Sequence, residues 1–276
     1  MNKWWLCVIV FAALAPAVSG PLQAQDKNVE IVRVRGLDTM AVRVEKLADL
    51  YMAEHANCRI VVSGGRGHGG IEELLAKNTE VAMGAYSTGP EDREIATKKG
   101  IALAEQLIGW DGLVIVVHPS NGVSELTLDQ VKGIFTGALG NWNKVGGPEG
   151  VIEVVVRDSA RTGYAAYFKD FALKKAPEAP GAGKKRLISA ILKEVSTHPR
   201  AIGYAPVRTV FAPPFAGTVK AAAIKKDADS PSVMPSEQTV ADRSYPLIVP
   251  LLLYYDRNTA GEHTKRFVEF CAMKGL

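Results

Sequence analysis

Glycine is concentrated in residues 63–70, whose sequence is SGGRGHGG. Five of these eight residues are glycine, so backbone N–H groups can approach a ligand with no side chain between them. Such a stretch is typical of loops that hold phosphate-type anions, although a flexible strand-to-helix connection has the same composition. His68 within it either contacts the ligand or faces solvent. The spacing excludes a P-loop and the dinucleotide-binding fingerprint, because the Lys-Ser/Thr ending and the required glycine spacing are missing.

A second loop, residues 157–163 with the sequence RDSARTG, begins with an arginine directly after an apolar run. The planar guanidinium of Arg157 can donate two parallel hydrogen bonds to an oxyanion, and such pairs are stronger than neutral hydrogen bonds. The alternative is an exposed charge at the end of a strand. A third loop, residues 35–40 (RGLDTM), also lies between a predicted strand and a predicted helix.

The three loops are expected to lie close together because the chain alternates between strands and helices. This alternation predicts an α/β fold with mostly parallel sheets flanked by helices. In such sheets the strand-to-helix loops gather at the carboxyl ends of the strands, where each helix N-terminus attracts an anion by about half a positive charge. The predicted strands are residues 31–34, 59–62, 81–85, 151–156, 201–207, 218–224 and 247–255, and the predicted helices are residues 39–55, 70–77, 162–173 and 260–274.

Residues 1–25 have the pattern of a secretory signal peptide, with one basic residue, an apolar stretch and small residues approaching a cleavage site near residue 24. We therefore expect a soluble periplasmic protein. In that oxidising compartment Cys58 and Cys271 either form a disulfide or are two small buried side chains. The composition, 47% hydrophobic and 22% charged, excludes extended disorder and a polytopic membrane protein. The net charge of +4 is scattered and predicts no nucleic-acid binding.

Enzymatic residue patterns are not found in the sequence. The histidines show no metal-ligand spacing with cysteines or carboxylates, and no Gly-x-Ser-x-Gly nucleophile elbow occurs. We therefore expect neither an enzyme nor a bound metal or cofactor. The aromatic side chains of Tyr164, Tyr167 and Phe168 are interpreted as core packing.

Residues 118–147, HPSNGVSELTLDQVKGIFTGALGNWNKVGG, identify a family. Thr127 and Gln130 form a capping box at the start of a short amphipathic helix, and glycines end it. The segment resembles the "NP..eLt..q...IFtG...NW..vGG" run of the periplasmic phosphate-binding proteins of ABC transporters. Three further segments are similar to that family: residues 36–40 to its "GSDTM" loop, residues 202–204 to its "aIGY" strand, and residues 245–246 to its "YPl.r.ly" ending.

The resemblance implies a two-lobed type II periplasmic binding protein with a ligand cleft between the lobes. Lobe one is placed at residues 26–117 plus 207–276, and lobe two at residues 118–206. The implied function is capture of phosphate or a related oxyanion for an ABC transporter permease in the inner membrane. We expect a monomer. The alternative is a secreted scaffold or sensor of the same fold that has lost anion binding.

The same resemblance implies which residues bind the ligand, and these residues depart from the family pattern at several positions. Arg161, Thr162 and Gly163 stand at the family's "SGT" positions, Gly67 stands where a serine is expected, and Leu37 replaces a small residue. No aspartate occurs in residues 80–87 to accept a proton from protonated phosphate. We therefore expect a preference for a more highly charged or larger anion, with sulfate and organic phosphates as further candidates. The implied ligand-binding residues are Thr39, Met40, Gly67, His68, Arg157, Arg161, Thr162 and Gly163.

Overall fold

A computed structural model of the chain describes residues 29–64, 70–85, 88–158 and 163–275. The predicted signal peptide, residues 1–25, lies outside the described residues. The strands are β1 (Glu30–Gly36), β2 (Cys58–Gly64), β3 (Val81–Gly84), β4 (Leu103–Val117), β5 (Glu125–Thr127), β6 (Glu153–Arg157), β7 (Gly183–Lys185), β8 (Ala201–Pro206), β9 (Lys220–Ala221), β10 (Ala223–Lys225) and β11 (Ile248–Asp256). The α-helices are α1 (Asp38–Glu54), α2 (Gly70–Leu75), α3 (Pro90–Lys98), α4 (Leu128–Phe135), α5 (Gly163–Tyr167), α6 (Ile188–Thr197), α7 (Val207–Val210), α8 (Glu237–Ala241) and α9 (Glu262–Lys274).

The described residues form a main sheet of nine strands and a separate two-stranded sheet in which β5 and β10 pair in parallel. The strand order of the main sheet is β2-β1-β3-β11-β4-β8-β6-β7, with β9 also paired to β4. The pairs β1/β2, β1/β3, β6/β8 and β6/β7 are parallel, whereas β11 and β4 run antiparallel to their neighbours. The predicted α/β class is confirmed, and the antiparallel strands lie in the middle of the sheet.

Strand β4 joins the two halves of this sheet because it changes partner along its length. Its first part pairs with β11, with Asp111 opposite Val249, and its last part pairs with β8, with Leu113 opposite Pro206. The apolar last part is visible in the sequence as LVIVV. The first part was not predicted, because charged and amide side chains interrupt its apolar pattern.

The structure corrects two of the predicted elements. In the predicted helix over residues 162–173, the α-helix α5 ends at Tyr167 and a π-helical turn, Phe168–Ala172, follows it. The wider turn leaves Phe171 46% exposed, stacked on the ring of Tyr167. The predicted strand over residues 218–224 is two short strands, β9 and β10. They are separate because β9 pairs with β4, whereas β10 pairs with β5.

The capping box is confirmed. Thr127 Oγ1 accepts a hydrogen bond from the Gln130 N–H at 3.1 Å, and Gln130 Oε1 accepts one from the Thr127 N–H at 2.9 Å. Cys58 and Cys271 are buried free thiols. Burial raises the pKa of Cys58 to about 11 and that of Cys271 to about 12, so both act as small apolar side chains. In the part of the chain that the structure describes, no helix is long and apolar enough to cross a membrane.

The start of α9 is capped by a side chain that lies far away in the sequence. Glu30 accepts hydrogen bonds from the N–H groups of His263 and Thr264 at 3.1 and 3.0 Å, and from the Thr264 hydroxyl at 3.1 Å. The N-cap residue itself, Gly261, has no side chain to do this. The carboxylate of β1 therefore ties the first strand to the last helix.

Replacing Glu30 with alanine is expected to lower the free energy of unfolding by about 1–2 kcal/mol, because the substitution removes a charged cap. Urea unfolding monitored by circular dichroism measures this loss. Glu269→Ala, at an exposed position on the same helix, is the control and should change the unfolding midpoint little. Equal midpoints for the two variants would contradict the capping role.

Candidate functional site

Strands β1 and β2 end side by side, with Gly36 opposite Gly64 in the parallel register. Gly36 has φ +142°, and a Cβ there would collide with the carbonyl of Met83 on β3, so only glycine fits. The chain therefore turns sharply from β1 into α1, at the edge where β2 ends too. The glycine-rich loop leaves β2 at this edge, and its predicted ligand residues Gly67 and His68 lie outside the described residues.

Helix α1 begins beside this edge without a side-chain cap. Its N-cap residue is Leu37, whose side chain cannot accept a hydrogen bond. Thr39 in the first turn is half-buried. The next residue, Met40, has its side chain in the core, and its N–H donates to the Leu37 carbonyl at 3.0 Å. Of the two predicted ligand residues on α1, Thr39 therefore presents a polar group at this edge and Met40 does not.

The second predicted loop, residues 157–163, begins at Arg157, where β6 ends. Its N–H donates to the Tyr204 hydroxyl at 3.3 Å, and its half-buried guanidinium has no ion-pair partner among the described residues. Arg161 and Thr162 lie outside the described residues. Gly163 starts α5 with φ +62°, and a Cβ at this position would lie 3.2 Å from Cδ1 of Leu37. The first residue of α5 therefore lies beside the N-cap residue of α1.

A hydrogen-bond network across this gap joins Thr39, Tyr164 and Asp111. The Tyr164 hydroxyl lies 3.3 Å from Thr39 Oγ1 and donates to Asp111 Oδ2 at 2.5 Å. The other carboxylate oxygen of Asp111 accepts from the Gly112 N–H at 2.7 Å. The network thus connects α1, α5 and the point where β4 changes partner. Core packing of the Tyr164 ring is confirmed, but the sequence did not predict the role of its hydroxyl.

Burial and charge act in opposite directions on Asp111. Burial raises the pKa of Asp111, while the hydrogen bond from Tyr164 and the nearby guanidinium groups of Arg208 and Arg43 lower it. Arg208 itself forms a salt bridge with Glu237 at 3.0 Å. Burial and the neighbouring carboxylate raise the pKa of Tyr164 well above its usual value, so Tyr164 keeps its proton and donates to Asp111.

Three polar groups near the start of α1 were not singled out in the sequence. They are the carboxylate of Asp111, the hydroxyl of Tyr164 and the guanidinium of Arg43. The single indication in the sequence is Asp111 itself, a carboxylate directly before the apolar run LVIVV. The described residues contain no group of three or more His, Cys, Asp or Glu side chains that could hold a metal ion. The arrangement combines the uncapped start of α1 with hydroxyl and guanidinium groups close to it, which is chemistry suited to binding an anion.

The fold defines a class of protein: a two-lobed α/β binding protein. The chain belongs to the family described as the PBP superfamily domain, whose family model matches residues 21–274. This confirms the predicted family resemblance.

Similar proteins are phosphate-binding proteins of several bacteria. The phosphate-binding protein PstS of Bacillus subtilis is 28% identical over 255 residues, which cover 91% of this chain and 77% of the relative. A crystal structure of an ABC-type phosphate transport receptor from Vibrio cholerae is 26% identical, with a TM-score of 0.69 over 88% of this chain and 93% of that one. A putative phosphate ABC transporter substrate-binding protein with bound phosphate, from Clostridium perfringens, has a TM-score of 0.69 at 23% identity and covers 87% and 92% of the two chains.

Proposed function

We propose that this chain is a solute-binding protein that captures phosphate or a related oxyanion and delivers it to an ABC transporter permease. The observation that carries the proposal is the meeting of the first turns of α1 and α5, seen in the Thr39–Tyr164 hydrogen bond and in the approach of Leu37 to Gly163. Because both helices begin at this point, the unpaired backbone N–H groups of their first turns lie close to it. The names of the similar proteins support phosphate as the first ligand to test.

The proposed ligand contacts are divided between the lobes. Thr39, Gly67 and His68 belong to lobe one, and Arg157 and residues 161–163 belong to lobe two. Residues 26–117 and 207–276 make up lobe one in this proposal, and residues 118–206 make up lobe two. The change of partner along β4 and the end of β8 at Pro206 support crossings in these regions. Closure of the lobes would then bring donors from both around one anion.

Location and partners follow from the same proposal. We place the protein in the periplasm after cleavage of its signal peptide near residue 24, acting as a monomer with the inner-membrane permease as its partner. Binding and delivery need no enzymatic step and no cofactor.

Calorimetric titration of the mature protein with phosphate, sulfate and phosphonates tests the proposal. We expect saturable binding of at least one of these anions. A bound ligand at about a hundred times its dissociation constant should also add about 2.7 kcal/mol of stability, visible as a higher melting temperature. No heat and no shift for any anion would contradict the proposal and favour a scaffold or sensor of the same fold.

A further inference from the structure

One buried guanidinium nitrogen has no acceptor. Nη1 of Arg43 is the single buried side-chain polar atom of the described residues that has no hydrogen-bond partner. A buried donor without an acceptor costs free energy, and more when it carries charge. An unsatisfied group of this kind in a native fold calls for a physical explanation.

The position of Arg43 connects it to the proposed binding site. It lies four residues after Thr39 on α1, so the two side chains occupy the same face of the helix, one turn apart. Thr39 meets Tyr164 of the opposite loop. Arg43 therefore lies one turn further along α1 from the loop that begins the site.

Among the described residues, no negatively charged group is hydrogen-bonded to the guanidinium of Arg43. The groups that act on it are Asp111 of β4, Tyr164 of α5, Arg208 of α7 and Glu237 of α8. Arg208 and Glu237 are paired with each other, and both oxygens of Asp111 accept hydrogen bonds from other groups. Burial, and then the like charge of Arg208, lowers the pKa of Arg43, while Asp111 and Glu237 raise it.

We propose that Arg43 binds the anion in the cleft, as a second guanidinium besides Arg157, and that the site therefore prefers a doubly charged oxyanion such as hydrogenphosphate or sulfate. This inference rests on the proposed function. A guanidinium fork pairs well with two oxygens of a tetrahedral anion, and two such groups stabilise two negative charges better than one.

Titration calorimetry of the mature chain with phosphate and with sulfate tests this assignment. Arg43→Met keeps much of the apolar stem and removes the charge, so we expect it to lower the affinity for both anions at least tenfold. Arg43→Lys keeps the charge and loses the fork, and it should have an intermediate effect. Lys46→Met, which removes an exposed cation of the same helix, is the matched control and should bind as the wild type does.

The pH dependence gives a second readout. Wild-type affinity for phosphate should rise as phosphate loses its second proton, whereas the affinity for sulfate should stay constant. In Arg43→Met the rise should be smaller. If Arg43→Met bound both anions as tightly as the wild type and lost only stability, Arg43 would be merely a counter-charge for Asp111. That result would overturn this inference. Absence of binding in the wild type would contradict the proposed function instead.

Discussion

Replacing Arg157 with alanine is expected to lower the affinity for phosphate at least about a hundredfold, a loss of about 2.8 kcal/mol. Arg157 is the last residue of β6, and its guanidinium has no ion-pair partner among the described residues. In the proposed site this guanidinium pairs with the ligand and not with the protein, so it contributes directly to binding. Truncation would leave part of the anion charge unpaired in the cleft. Titration calorimetry at constant pH and ionic strength measures the change.

Arg200→Ala is the matched control for this experiment. Arg200 also belongs to the β6/β8 region, but it precedes β8 at the opposite end of these parallel strands and pairs with Glu153 at 3.2 Å. Its side chain is 60% exposed, so the variant should keep wild-type affinity. Retained affinity in Arg157→Ala would exclude this arginine from the site.

Replacing Tyr164 with phenylalanine is expected to lower the free energy of unfolding by about 3 kcal/mol at neutral pH. The substitution keeps the buried ring and removes the hydroxyl that bonds Asp111 and Thr39. A hydrogen bond to a charged group contributes about 1.5–3 kcal/mol, and the neutral bond to threonine about 1 kcal/mol. Urea unfolding followed by fluorescence measures the loss.

The loss in Tyr164→Phe should depend on pH through Asp111. Burial raises the pKa of this carboxyl, so its contribution to stability is largest below its ordinary pKa and is lost as pH rises through the folded-state value. Without the tyrosine hydroxyl the folded-state pKa rises further, and the ionised carboxylate becomes more costly. The difference between wild type and variant should therefore be smallest in acid, where the carboxyl is neutral in both, and increase as pH rises.

Tyr255→Phe provides the comparison for these unfolding curves. This tyrosine lies on β11, and among the described residues its hydroxyl has no hydrogen-bond partner. Its removal should change stability little at every pH. If Tyr164→Phe lost the same free energy at every pH, the carboxylate of Asp111 would not be coupled to the tyrosine.

Much of the fold could be predicted because it depends on local patterns. Short runs of β-branched residues indicated β1, β2 and β6. The spacing of the Thr127 hydroxyl and the Gln130 amide indicated the capping box. These features are local, since each depends on residues within a few positions. The π-helical turn after Tyr167 and the division of residues 218–224 into two strands depend on distant partners, so the same patterns did not predict them.

The sequence by itself determined the family and the alternation of strands and helices, and it predicted three loops for the binding of an anion. The tertiary structure alone decided which side chains meet between those loops. Asp111 lies 53 residues from Tyr164, and Tyr164 lies 125 residues from Thr39, so no local pattern could join them. They meet because β4 crosses both halves of the sheet and because α1 and α5 begin beside each other. Burial at that meeting point makes the hydrogen bond between a hydroxyl and a carboxylate important for stability, and it leaves one arginine nitrogen without an acceptor among the described residues.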